Sequence, residues 1–352
     1  MSISKTLFGK NGEGKDVFKY TMTNKRGASV SVLTFGGTLH SIIVPDKNGK
    51  MADVCLGFDA MDTYMIKNGS IGAFIGRYGN RIDAGKFTLN GMDYQLNVNA
   101  APNHLHGGTV GYQIRLMEAE AMEGEYGDQV IMSLYSPDGE ENYPGGLHIK
   151  VTYTFDENCN LGLYYEATAE AKTILNLTNH CYFNLAGQDS GKIYGQTMQI
   201  FADCVTEVNK NMIPTGRYLP VCGTPLDFRT PRALGETLKM AETCTAMVLG
   251  TGHDHNYVLS NGFGMGLCAV AKDPASGRVM EVITDQPAVQ LYSGNHLNIT
   301  GKGGRHYGAH DGFCLETQHF PDSPNHAHFP TTALDKGETF RSATIYTFTA
   351  EK

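Results

Sequence analysis

Apolar and polar residues alternate along much of this chain with a period of two, and helical periodicity is scarce. Leu147, Ile149, Val151, Tyr153 and Phe155 alternate with His148, Lys150, Thr152 and Thr154, the pattern of a strand with one buried face. Phe18, Tyr20 and Met22 alternate with Lys19, Thr21 and Thr23 in the same way. Phe87-Thr88-Leu89, then Asn90-Gly91, then Met92-Asp93-Tyr94-Gln95-Leu96 predict a hairpin, because Asn-Gly accepts the positive φ that a two-residue turn requires. Further strands are predicted over 29–35, 39–44, 130–135, 162–167, 197–202, 267–272, 279–284, 288–292 and 342–349. Turn clusters such as Lys47-Asn48-Gly49 and Pro137-Asp138-Gly139 separate them. Short helices are predicted over 60–67 and 232–240, the second opened by Pro231. Many strands joined by glycine-containing turns predict packed antiparallel sheets, an all-β architecture with few short helices. No linker, repeat or low-complexity tract interrupts the pattern, so residues 1–352 are read as one domain.

Composition narrows the function classes. Hydrophobic residues make up 41% of the chain, enough for a sizeable core and too many for a disordered protein. The net charge is −8 and no basic cluster stands out, which argues against nucleic-acid binding. No run approaches the length of a membrane span. Residues Met1 to Thr6 lead into a polar, glycine-containing segment rather than the apolar core of a secretory leader. The eight cysteines lie far apart, with no CxxC pair. Together these point to a soluble protein of a reducing compartment, the cytoplasm.

Candidate chemistry gathers in five runs. In 176–187, two asparagines and a threonine crowd His180 among Leu177, Phe183 and Leu185. Buried amides need partners, so such a cluster either orients a working histidine or satisfies a core one. Run 76–82 sets Arg77 and Arg81 four apart beside glycines, with Asn80 between them; guanidinium forks suit neighbouring hydroxyls or a carboxylate. Run 103–108 carries His104 and His106, which in an extended chain would share a face, before two glycines. Run 252–257 carries His253 and His255 flanking Asp254. These four histidines with Asp254 are also candidate zinc ligands. In 311–322, Glu316 lies between apolar residues and a Thr-Gln pair; such a glutamate is a candidate for a raised pKa and proton transfer, or for the solvent face of a strand. Gln290 is a polar residue in an otherwise apolar strand, which a cross-strand hydrogen bond would equally explain. No dinucleotide fingerprint, P-loop or serine-nucleophile elbow is present.

Taken together these runs resemble the aldose 1-epimerase, or galactose mutarotase, family. The matching pieces are GRYGNRI at 76–82 with GKFTLNGMDYQL after it, NHLHGG at 103–108 and NLTNHCYFNLAG at 176–187. DHNYVL at 254–259, VQLYSGNHL at 289–297 and GFCLETQHFPDSPNH at 312–326 complete a set that runs in the family's order. The resemblance implies a large antiparallel β-supersandwich with a sugar site in an open cleft. It implies interconversion of the α and β anomers of free aldoses, with no metal or organic cofactor. On the motif match Glu316 is the expected general base and His180 the general acid. His106, Arg81 and Asp254 are expected to bind sugar hydroxyls, with Asn80 and Gln290 as further polar contacts. Cys181, Gly79, His253 and the pair His319-Phe320 depart from the family's pattern, which leaves the preferred sugar open, since His253 and Phe320 could line the cleft. A monomer and a homodimer both remain open.

The chemistry sets a further expectation. If Glu316 takes a proton while His180 gives one, Glu316 must be ionised and His180 protonated, with the glutamate pKa below the histidine's. The rival readings are a sugar-binding module on the same scaffold, a phosphosugar epimerase using Lys302 and Arg305, and a metal-dependent hydrolase built on the four paired histidines.

Overall fold

The computed structural model describes residues 2–66, 69–124 and 127–351. Three sheets dominate, and every strand pairing within them is antiparallel. The first is a five-stranded meander of Ser2–Lys10, Asp16–Thr23, Ser29–Leu33, Thr38–Pro45 and Met51–Asp53. The second has nine strands, in spatial order Glu118–Met122, Asp128–Ser136, Leu147–Phe155, Asn160–Ala169, Thr339–Ala350, Arg278–Thr284, Gly266–Lys272, Thr197–Ile200 and Arg232–Ala233. The third places Pro214–Pro220, Ala202–Val208, Asp254–Leu259, Ala288–Tyr292 and Cys314–Gln318 side by side.

The strongest alternation gives the cleanest strand. In Leu147–Phe155 the five apolar residues are buried, while His148 and Lys150 are exposed. One contiguous core joins all three sheets: Met22, Val32 and Ile42 from the first meet Val151, Leu163 and Tyr346 from the second and Val205, Leu291 and Leu315 from the third. The Asn-Gly hairpin forms as predicted, between Lys86–Leu89 and Met92–Gln95, with φ of 52° at Asn90 and 74° at Gly91.

Differences from the sequence reading have local causes. The strand predicted over 197–202 is two strands in different sheets, Thr197–Ile200 and Ala202–Val208, because the chain crosses between layers at Phe201. The first predicted helix is Met61–Met65, and Lys67 lies outside the described residues. The second is Leu234–Lys239, since Arg232 and Ala233 pair with the strand Thr197–Ile200 instead. A third short helix, Thr245–Gly250, and the exposed edge strand Ser2–Lys10 were not predicted.

Arg77 belongs to the framework. It is 1% exposed, and its guanidinium donates to the carbonyls of Gly145 (2.7 Å), Pro144 (3.0 Å) and Ser136 (3.3 Å), and to the Ser136 hydroxyl (2.6 Å). It ties the turn after Asp128–Ser136 to the segment leading into Arg81. Arg77→Met, similar in volume but without donors, is expected to cost about 3 kcal/mol or more, because those acceptors lose their charged partner. Urea unfolding measures this, and a loss under about 1 kcal/mol would mean the turn does not depend on the guanidinium.

Candidate active site

The third sheet breaks the rule of one wet and one dry face. Its last two strands are buried almost throughout, and register explains why that is unusual. Asn256 pairs with Gln290, and Gln290 with Glu316. With period two, Asp254, Asn256, Gln290, Tyr292, Cys314, Glu316 and Gln318 therefore share one face. Tyr257, Val289, Leu291 and Leu315 point the other way, into the core. Hence the polar row is covered rather than solvated.

Three loops cover part of it. Thr178–Asn179 pairs with Phe74–Ile75, and His180 is held at both backbone atoms: its N–H donates to Ala73 O (2.9 Å) and its carbonyl accepts from Gly72 N (2.9 Å). The neighbouring asparagines act as backbone clamps. Asn176 spans Gly79 O and the His319 main chain, and Asn179 donates to Gly72 O. They fix the segment that carries His180 and do not bond its ring. Arg81–Ile82 pairs with His104–Leu105, and there the two predicted histidines diverge. His104 is buried between Asn97 O (2.7 Å) and the Tyr143 hydroxyl (2.5 Å). His106 instead turns to φ of 50°, so the shared face expected for an extended chain does not form.

The result is a cavity of about 600 Å³ lined by Asn80, Arg81, His106, His180, Asp254 and Glu316 on its polar side. Tyr64, Met65, Ile71, Ile114 and Tyr182 supply the apolar side. His180 Nε2 lies 3.7 Å from Glu316 Oε1, and the His106 and His180 rings meet edge to face with centroids 5.2 Å apart. Arg81 stands 3.7 Å from Asp254, and Gln290 donates to the other Asp254 oxygen at 2.6 Å. Gln290 is thus one layer behind the cavity wall, where its contact is with Asp254. The cross-strand bond left open by the sequence is the one the structure displays.

Electrostatics reverse one expectation. The 3.7 Å separation alone would suit an ion pair, but both side chains are almost fully buried. Burial pulls His180 down to about 4, against a smaller opposing effect from Asp254. Burial, with help from the Asp254 charge, pushes Glu316 well above the usual carboxylate range. The neutral pair is therefore favoured, because desolvation of two charges outweighs their attraction at a distance too long for a hydrogen bond. Glu316 Oε2 also has no hydrogen-bond partner among the described residues.

The metal reading through His104, His106, His253 and His255 fails on geometry. His253 is buried against Phe228 and bonded to Thr237 (2.8 Å), and His255 faces the core side of its strand. A different group, His106, His180 and Glu316, has donor atoms within 4.8 Å of one another. However, the Asn80 backbone N–H donates to His106 Nδ1 at 3.2 Å. That fixes the hydrogen of neutral His106 on Nε2 and removes the lone pair a metal would need there. Nor do His253 and Phe320 line the cleft; Phe320 packs against Phe329 and Ala288. Lys302 is buried against Asp53 and Arg305 is not among the lining residues, so neither adds a cation to the cavity.

Close backbone approach holds the His106 turn in place. A Cβ on Gly107 would collide with the carbonyl oxygen of Gly76, and φ there is 79°. Gly107→Ala is expected to displace His106 and to weaken, by tenfold or more, on the order of 1.4 kcal/mol, binding of the sugar that the sequence resemblance implies. Calorimetric titration with galactose measures it, and unchanged affinity would show that the turn tolerates a side chain.

Comparison with known proteins agrees with this architecture. The family model described as aldose 1-epimerase matches residues 19–347. Galactose mutarotase of Rattus norvegicus is 40% identical over 350 residues, covering 99% of both chains. Aldose 1-epimerase of Escherichia coli strain K12 is 32% identical over 343 residues, covering 96% of this chain and 97% of that one. The crystal structure of galactose 1-epimerase from Lactobacillus acidophilus superposes with a TM-score of 0.88 at 27% identity, covering all of both chains. With a family match across nearly its whole length and the same fold, this chain belongs to the aldose 1-epimerase family.

Proposed function

We propose that the protein is an isomerase that interconverts the α and β anomers of free aldoses such as galactose and glucose, with Glu316 and His180 as its proton-transfer pair. The observation that carries this reading is their placement, Oε1 to Nε2 at 3.7 Å, both buried on the wall of one sugar-sized hollow. Anomer exchange opens the C1–O5 bond, turns the aldehyde about C1–C2 and closes the ring again. One group takes the proton of the C1 hydroxyl while another gives one to O5. Each transfer, when well placed, is worth roughly 10²–10⁴-fold.

Between them the two side chains hold one mobile proton. With it on His180, Glu316 is the base at O1 and His180 the acid at O5. After opening it resides on Glu316 and His180 is neutral, which is the arrangement that burial favours. The same arrangement is the resting one, so opening proceeds from the minor form with the proton on His180, and closure returns the proton so that none is consumed. His106 keeps a hydrogen on Nε2 and donates to a sugar oxygen, as does Arg81. Asp254 accepts from a hydroxyl, steadied by Gln290, while Asn80 holds both His106 and Arg81 in place. Arg81 is the only Lys or Arg side chain on the wall among the described residues, and it already faces Asp254, which favours free sugars over phosphorylated ones. The eight unpaired cysteines support a cytoplasmic setting.

Polarimetry on freshly dissolved α-D-galactose is the direct test. The rotation should relax far faster than in buffer; binding of galactose with relaxation at the buffer rate would leave only a sugar-binding module. Glu316→Gln and His180→Asn should each keep the fold and lose more than about 90% of kcat. A Glu316→Gln enzyme above that level would remove Glu316 from the base role.

The pH profile follows from the same pair. Below about pH 4 His180 takes a second proton while Glu316 keeps its own, so no base remains. Above the raised pKa of Glu316 the pair loses its only mobile proton, so no acid remains. Activity should therefore persist through mildly acidic pH, with its acid limb near 4 and its alkaline limb above the ordinary carboxylate range. An acid limb in the normal histidine range would show that His180 is charged at rest.

A further inference from the structure

The second nitrogen of His180 meets a thiol. Cys314 lies on the same sheet face as Glu316, two residues away, and its sulfur is 3.5 Å from His180 Nδ1. Acid–base histidines commonly orient this nitrogen with a carboxylate or a backbone carbonyl, which also raises their basicity. We propose that Cys314 is a positioning residue: its sulfur accepts the Nδ1–H hydrogen bond and leaves Nε2 as the nitrogen that exchanges protons with the sugar. The proposal rests on the assignment of His180 above.

Three observations support it. His180 lines the cavity with Nε2 on the Glu316 side, 3.7 Å from Oε1. To take the O5 proton back on ring closure, neutral His180 must leave Nε2 bare and carry its hydrogen on Nδ1, where Cys314 Sγ and the residue's own backbone are the partners. The Cys314 thiol is held protonated chiefly by burial, so it offers a neutral and weak acceptor. Such a partner fixes the ring's orientation without stabilising the imidazolium. It leaves His180 a stronger acid toward O5 than a carboxylate partner would, and lets it rest neutral beside Glu316.

The ring itself is confined by Tyr182 at 5.0 Å and His106 at 5.2 Å between centroids, so losing the sulfur changes the tautomer balance more than the ring's place. Long-range proton–nitrogen correlation spectra of histidine-labelled protein at neutral pH report each ring nitrogen directly. Wild-type His180 should show a protonated Nδ1 and a bare Nε2. Cys314→Ala should give mixed tautomers and lower kcat on galactose about tenfold or more, with KM within about twofold. Cys314→Ser, whose hydroxyl also accepts, should restore the tautomer and most of kcat. A wild-type ring with its hydrogen on Nε2 would overturn the proposal without recourse to variants. So would an alanine variant that keeps both the wild-type tautomer and kcat. The wild-type spectrum is readable whether or not galactose is turned over, so an inactive wild-type protein would count against the anomerase reading alone.

Discussion

The site depends on removing a carboxyl group and an imidazole from water at one spot on a covered sheet face. A lone carboxylate in such a place costs several kcal/mol, which is why the neutral pair is preferred. The depth of each group follows its task. The side chains of Glu316 and His180 are 3% and 7% exposed, whereas those of Asp254 and Arg81 are 16% and 22% exposed. The two groups proposed to exchange a proton sit deepest, where burial disfavours the charged form of each. The two groups proposed to orient the sugar keep more contact with solvent.

Such a pair works only if the loops above it do not drift. Asn80 and His106 both adopt left-handed backbone, at φ of 63° and 50°, a conformation costing roughly 1–2 kcal/mol for a residue with a Cβ. They offset this with one another: His106 N–H donates to Asn80 O at 3.0 Å, and Asn80 N–H to His106 Nδ1 at 3.2 Å. The same exchange sets the His106 tautomer. Backbone strain and side-chain chemistry are thus linked in a single two-residue contact, and Gly107 is needed because the loop then passes against Gly76.

Much of the fold was legible because hydrophobic alternation reports directly on a sheet with one wet face, as in Leu147–Phe155. It reports poorly where both faces are covered. Strand Cys314–Gln318 has no exposed residue, so its polar members looked like isolated oddities rather than a row. The row became visible only through register, which brings Asn256, Gln290 and Glu316 abreast from distant parts of the chain. Spacing was also misleading for Arg77 and Arg81. Four residues apart, one ties framework turns together and the other reaches the cavity, and nothing local distinguishes them. Nor could the sequence supply the order of the two pKa values, since that order is set by burial rather than by residue type.

Specificity among aldoses follows from which wall each hydroxyl meets. The departures from the family pattern do not reach the cavity: His253 is locked to Thr237, Phe320 packs with Phe329, and Cys181 lies 3.2 Å from Cys55 in the core. The polar wall offers donors from His106 and Arg81 and an acceptor from Asp254. Ile71, Ile114 and Met65 also line the cavity and offer none, while Ser70 and Gln113 beside two of them in the chain do. A hydroxyl placed against one of those apolar side chains loses its water without a replacement, at about 1–3 kcal/mol. A cost of that size is enough to separate two sugars that differ at one carbon by up to about a hundredfold through desolvation alone, without any residue dedicated to rejecting one of them.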